Sequence, residues 1–184
     1  MESDLTILTI DFEASCLPRH GRSFPIEVGL AGPAMVRSWL IRPSDDWFGW
    51  DWTAEAEALH GLSRERIARE GQSVDMVLRE LAALVDGFCV VADSVLDQYW
   101  LETLAIAART TAPFAIDHVA QLLDERQIDE AGIMAAVAYA DAHHPARHRA
   151  ACDAQWLQAV VSHALRETPE AAPAPRLYMV ESLC

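Results

Sequence analysis

Leu5-Thr6-Ile7-Leu8-Thr9-Ile10-Asp11-Phe12-Glu13-Ala14-Ser15-Cys16 decides the fold and points to the chemistry. Its first half is aliphatic and β-branched with no charge, the composition of a strand buried on both faces. Side chains alternate along a strand, so Asp11 and Glu13 share one face while Phe12 enters the opposite layer. Two acids side by side at the end of a buried strand repel and raise each other's pKa. A divalent cation with oxygen ligands, Mg²⁺ or Mn²⁺, relieves that repulsion. Solvated acids at an ordinary strand terminus account for the same residues, and this stretch alone leaves both readings open.

Moving outward, Leu17 to Phe24 has a loop composition, with Pro18, Gly21 and two arginines. Residues 25–31 and 34–41 read as strands joined by a Gly32-Pro33 turn, an antiparallel hairpin. Trp47, Phe48, Trp50 and Trp52 then crowd together; packing or an interface accounts for them slightly better than base stacking. Thr53, Ser63 and Ser73 suit helix caps. Residues 88–92 read as a central buried strand, followed by a helix over about 95–108. Residues 113–116 suggest a last short strand, with a helical turn or two over 117–123. Helices follow over 129–144 and from about 149 to 166, before the Pro/Ala-rich stretch 168–184. The order describes a mixed α/β domain, with helices packed on a central sheet, over residues 1–167 and a C-terminal tail over 168–184.

At 184 residues the chain suits one domain with a proper core. Its apolar runs fall short of a membrane span, and Glu2 and Asp4 stand where a signal peptide would be basic, so a cytoplasmic protein with no membrane association is expected. Cys16, Cys89, Cys152 and Cys184 form no Cys-x-x-Cys pair, which argues against a zinc cluster or a disulfide framework. Acids outnumber basic residues 28 to 14, and every basic residue is arginine, for a net charge of -14. Such a surface does not favour wrapping a long nucleic acid, because nonspecific affinity comes from cations that neutralise phosphates. Any nucleic acid is expected to be short or held by its end.

Three further groups bear on the opening acids. Asp97 lies on the helix face that also carries Leu101 and Leu104, so its carboxylate needs a partner. A capping box over Ser94-Val95-Leu96-Asp97 and metal binding are equally good accounts of it. Asp153 begins a helix whose Trp156, Leu157, Val160 and Val161 look core-facing. His148 stands five positions earlier, roughly 140° away on a helix, so it belongs to the preceding loop or first turn. A hinged histidine suits a general base, although alone it reads as a surface residue, as do His20, His118 and His163.

Asp11-x-Glu13, Asp97 after a buried strand and His148-x-x-x-x-Asp153 together resemble the DEDDh group of 3'–5' exonucleases, which includes ribonuclease T, oligoribonuclease and the replicase proofreading subunit. Supporting similarities are Asp11-Phe12-Glu13-Ala14, Glu27-Val28-Gly29, Leu40-Ile41-Arg42-Pro43 and His60-Gly61-Leu62-Ser63. The sister group carries a tyrosine four positions before the last acid, where this chain has Arg149. Two departures are Ala14-Ser15-Cys16, where Thr-Thr-Gly is common, and Ala92-Asp93, where His-Asn is common; Asp93 is expected to be a helix cap.

The resemblance implies a ribonuclease H-like mixed sheet of about five strands flanked by helices. It also implies two Mg²⁺ or Mn²⁺ ions, with Asp11 bridging them, Glu13 and Asp153 on one and Asp97 on the other. His148 would be the general base, and Phe12, Ala14, His60 and Arg147 would touch the substrate. The implied activity is removal of nucleotides from the 3' end of single-stranded or short nucleic acid, in a possible homodimer. Arg149, Arg19 and Arg22 are further candidates for phosphate contact. Alternatives are a catalytically silent interaction module and a hydrolase of dinucleotides or other small phosphodiesters.

Overall fold

A computed structural model describes residues 6–167. The expected tail from Thr168, Cys184, the N-terminal acids Glu2 and Asp4, and the first residue of the opening strand lie outside the described residues. Five strands form one sheet in the order β3-β2-β1-β4-β5. Strand β1 (Ile7–Ala14) is central, antiparallel to β2 (Pro25–Gly32) and parallel to β4 (Cys89–Ala92). Strand β3 (Met35–Leu40) completes the hairpin at one edge, and β5 (Asp117–His118) pairs parallel to β4 at the other.

Helices α1 (Ala54–His60), α2 (Arg64–Glu70) and α3 (Val74–Val85) lead from β3 to β4. Each starts where the sequence places a cap: Thr53, Ser63 and Ser73 accept the backbone N–H of Ala56, Arg66 and Met76. Helix α4 (Leu96–Ala107) follows β4, and α5 (Val119–Glu125), α6 (Glu130–His143) and α7 (Ala150–Glu167) end the described chain.

Strand alternation sorts the core into two layers. Leu8, Ile10 and Phe12 of β1 face the side covered by α3 and α4, together with Ile26, Val28 and Leu30 of β2. Ile7 of β1 and Val91 of β4 face the side covered by α5, α6 and α7. Burial on both faces explains why these strands are runs of aliphatic residues without alternation.

The last strand departs from expectation. Pairing with β4 begins at Val91↔Asp117, after the segment 113–116 expected to form it. That segment is anchored elsewhere, since Ile116 N–H donates to Gln98 Oε1 of α4 (2.9 Å). Asp93 is not the expected cap either. Ser94 Oγ accepts Leu96 N–H (3.1 Å), and Asp93 stays exposed beside the acids described below. The tryptophan cluster chiefly packs: Trp47 is buried and stacks on Phe24 with ring centroids 5.1 Å apart, and Trp50 and Trp52 lean on the same pair.

Candidate active site

Asp11 and Glu13 occupy the face of β1 covered by α7, with Phe12 turned into the opposite layer. Helix α7 comes close because β2 has glycine beneath its first turn. A Cβ on Gly29 would lie 2.2 Å from the Ala150 carbonyl carbon and oxygen, so only glycine lets the backbones meet. Thr9 Oγ1 donates to the Ala154 carbonyl (2.7 Å), one turn further along. Thus two positions of the sheet, Thr9 and Gly29, set the depth and register of α7.

Glu27 fixes its first residue. This carboxylate is buried, and it accepts two hydrogen bonds from the Arg149 guanidinium (2.7 and 2.9 Å) and one from Ala150 N–H (3.2 Å). Glu27 also stands directly opposite Glu13 in the β1–β2 register, a like-charge pair that Arg149 offsets. In the sequence Glu27 stands only within a similar motif, and Arg149, expected as a phosphate contact, is bound to Glu27 instead. The one local signal was a single charge inside the otherwise apolar strand Pro25–Gly32. Arg149 fills its position as a strut.

Asp153 is delivered at the first turn of α7. Its Oδ2 accepts the backbone N–H groups of His148 (2.7 Å) and Arg149 (3.1 Å), and its Oδ1 accepts from Arg147 Nε. One carboxylate oxygen each from Asp11, Glu13 and Asp153 lie within 4.8 Å of one another. Asp97 comes from the start of α4, buried, with Oδ1 accepting Phe12 N–H (3.0 Å) and Oδ2 without a hydrogen-bond partner. The backbone N–H groups of Ser94 and Asp97 also favour its charge. Asp97 thus lies outside the three converging carboxylates, held by helix-end hydrogen bonds, but close enough for its charge to act on Asp11.

The electrostatics are those of crowded, dehydrated acids. Burial, then Asp97, Glu13, Asp153 and Asp93, push the Asp11 carboxyl well above its ordinary range. Burial and the charges of Asp153 and Glu27 raise Glu13 to about 7, against a smaller opposing pull from Arg149. Burial and Asp93 raise Asp97 to about 8, and its three backbone N–H contacts oppose the shift. The residues present fit a divalent cation. Hard oxygen donors converge, one buried carboxylate oxygen lacks a partner, and the repulsion is the kind that cations remove.

The other expected residues fall around this cluster. His148 is exposed in the loop before α7 with φ +65°, left-handed backbone uncommon for a side chain of its kind. Arg147 pairs with Asp153 and lies over the Trp156 ring, 4.2 Å from its centroid. Phe12 is buried in the core, so its backbone, not its ring, is what reaches the cluster. Ala14 is half-buried where β1 ends. His60 is buried with Nδ1 accepting Leu62 N–H (3.0 Å), which leaves its proton on Nε2, toward the Ala14 backbone and without a hydrogen-bond partner, and burial lowers its pKa. Ser15, at the sequence departure after Glu13, is buried and accepts Phe24 N–H (3.1 Å), a structural use.

An acidic cluster at the C-terminal end of a central strand, in a mixed β3-β2-β1-β4-β5 sheet with helices on both faces, defines a ribonuclease H-like fold. Solved exonuclease structures share that fold. The chain superposes on a 3'-exonuclease solved in recognition of the 3' end of a histone mRNA stem-loop, with TM-score 0.67 and 14% identity over 90% of this chain and 67% of the other. A full-length 3'-exonuclease gives 0.67 and 15% over 89% and 62%. Exonuclease I of E. coli, in complex with a dT13 oligonucleotide, gives 0.60 and 12% over 90% and 41%. The chain thus spans about two thirds or less of these structures. No protein-family model and no curated protein sequence matches it.

Proposed function

We propose that this protein is a divalent-metal-dependent 3'–5' exonuclease acting on single-stranded or short nucleic acid. The observation that carries the reading is the convergence of Asp11, Glu13 and Asp153 beside the buried, unpartnered Oδ2 of Asp97. Two Mg²⁺ or Mn²⁺ ions held by these four acids would offset their charge, polarise the scissile phosphate and stabilise the departing oxygen.

The chain's own residues have separate tasks. Phe12 N–H orients Asp97, and the N–H groups of His148 and Arg149 orient Asp153, so the cluster is preorganised. A ring nitrogen of His148, on its exposed hinge, takes a proton from the attacking water. The water oxygen bonds to phosphorus, the bond to the 3' oxygen breaks, and that oxygen takes a proton from solvent, so a nucleoside 5'-monophosphate leaves a strand one unit shorter with a free 3'-hydroxyl. The neutral His60 offers a hydrogen-bond donor beside Ala14 without adding charge. Arg147 pairs with Asp153 and lies over Trp156, which holds that carboxylate toward the cluster.

A 5'-labelled single strand incubated with Mn²⁺ should shorten from its 3' end and release 5'-monophosphates. Asp11→Ala and His148→Ala should abolish or slow this by about 10²-fold or more. An intact strand, or full activity in Asp11→Ala, would overturn the proposal. The net charge of -14 favours a second reading within the same chemistry, with dinucleotides or other small phosphodiesters as substrates. Faster hydrolysis of a dinucleotide than of a longer strand would select it. Among the described residues no helix is long and apolar enough to cross a membrane. A cytoplasmic location and a homodimer belong to the proposal on sequence grounds alone.

A further inference from the structure

A protein with twice as many acids as arginines needs local cations to hold a polyanion. The arginines beside the acidic cluster are paired with carboxylates: Arg147 with Asp153 and Arg149 with Glu27. Arg22 and Arg64 make no ion pair among the described residues. Both are exposed, and each guanidinium lies over an indole, Arg22 over Trp50 (4.5 Å) and Arg64 over Trp52 (5.0 Å). A guanidinium held over a ring by cation–π attraction still has N–H groups to offer, and those are the groups that grip phosphate.

The surrounding acids are already engaged. Asp51 Oδ2 accepts Arg22 N–H (2.8 Å), and a Cβ on Gly21 would collide with that carboxylate. Glu57 accepts the Trp52 indole N–H (2.7 Å), and Glu65 turns back onto Ser63 and its own backbone N–H. The platform is also continuous with the acidic cluster. Trp52 meets the edge of His60 (centroids 6.1 Å apart), His60 faces the Ala14 backbone, and Ala14 follows Glu13. Thr53 N–H donates to the Ser15 carbonyl and Asp51 N–H to the Arg22 carbonyl, fastening the tryptophan segment to the loop that leaves β1.

We propose that Arg22 and Arg64, seated on Trp50 and Trp52, are phosphate clamps that hold a single strand on its way to the acidic cluster. The assignment rests on the exonuclease reading and gives that site a substrate track several nucleotides long. The aromatic cluster packs the core with its inner rings and serves the strand through the arginines on its outer ones.

The test is binding of a fluorescein-labelled ten-nucleotide deoxythymidine strand to the full chain, with Ca²⁺ replacing Mn²⁺, by anisotropy across a salt series. Arg22→Gln/Arg64→Gln should weaken binding roughly tenfold or more and flatten the slope of log affinity against log salt by about 1.4, the share of two single-strand phosphates. Arg37→Gln/Arg79→Gln, which removes the same charge from exposed positions on β3 and α3, should leave the slope unchanged. Arg22→Lys/Arg64→Lys should retain it. Equal weakening by both glutamine pairs, a lost slope in the lysine pair, or no binding by the unaltered chain would overturn the track. The nuclease reading is judged separately by strand shortening in Mn²⁺, so a protein that binds as expected without cutting would lose only that reading.

Discussion

The Glu27–Arg149 pair carries the most specific expectation, because it joins the sheet to the helix that delivers Asp153. Glu27 is 1% exposed and Arg149 35%, so the two ends are not equivalent. Arg149→Met leaves a buried carboxylate with one backbone donor, a change expected to destabilise by about 3–5 kcal/mol. Glu27→Gln keeps the shape, and the half-exposed guanidinium can turn to water, so about 1.5–3 kcal/mol is expected. Glu27→Gln/Arg149→Met removes both charges together and should lie well above the sum of the singles in stability, with a coupling of roughly 1.5 kcal/mol or more. At about 2–4 °C per kcal/mol for a domain of this size, these differences are resolved by urea titration and thermal melts. The melts should be run with and without Mn²⁺, since loosening the start of α7 should also reduce the ion's stabilising effect. Additivity of the two single changes within about 0.5 kcal/mol would refute the strut.

Three further expectations follow from the same geometry. Glu13 and Asp97, raised to about 7 and about 8, bind protons more tightly folded than unfolded, so their contribution to stability falls as pH rises from about 4 through 8. In EDTA the melting temperature should drop more between pH 5.5 and 8.5 for the unaltered chain than for Asp97→Asn, and equal drops would contradict the burial argument. Gly29→Ala should push α7 off β2, with a loss of at least about 1–3 kcal/mol and of activity, seen in melts and strand shortening. His148→Gly removes the imidazole and relieves a left-handed backbone, so it should melt at or above the unaltered protein while activity collapses; a clear drop in melting temperature would show that the side chain packs.

The parts of the molecule that were legible in sequence are those written locally. Residues 7–14 announce a doubly buried strand with two acids on one face, and Thr53, Ser63 and Ser73 mark helix starts that the structure keeps. What was not legible depends on partners far along the chain. Glu27 meets Arg149 across 122 positions, and nothing near either residue names the other. Asp93 reads as a cap from its neighbours, whereas Ser94 accepts Leu96 N–H and Asp93 adds its charge to Asp11 and Asp97. The final strand was misplaced because Gln98, on another element, anchors the residues that look more strand-like. The sequence favours packing or an interface for the tryptophans; the arginines over their outer faces are visible only in the fold.

Helix α7 is the last described element to be synthesised, and it brings Asp153, Arg149 and the loop bearing His148 to acids that lie at the start of the chain. A growing polypeptide therefore holds Asp11, Glu13 and Asp97 long before it holds the complete cluster. The order of translation thereby delays assembly of the acidic centre until α7 has left the ribosome and settled on Gly29.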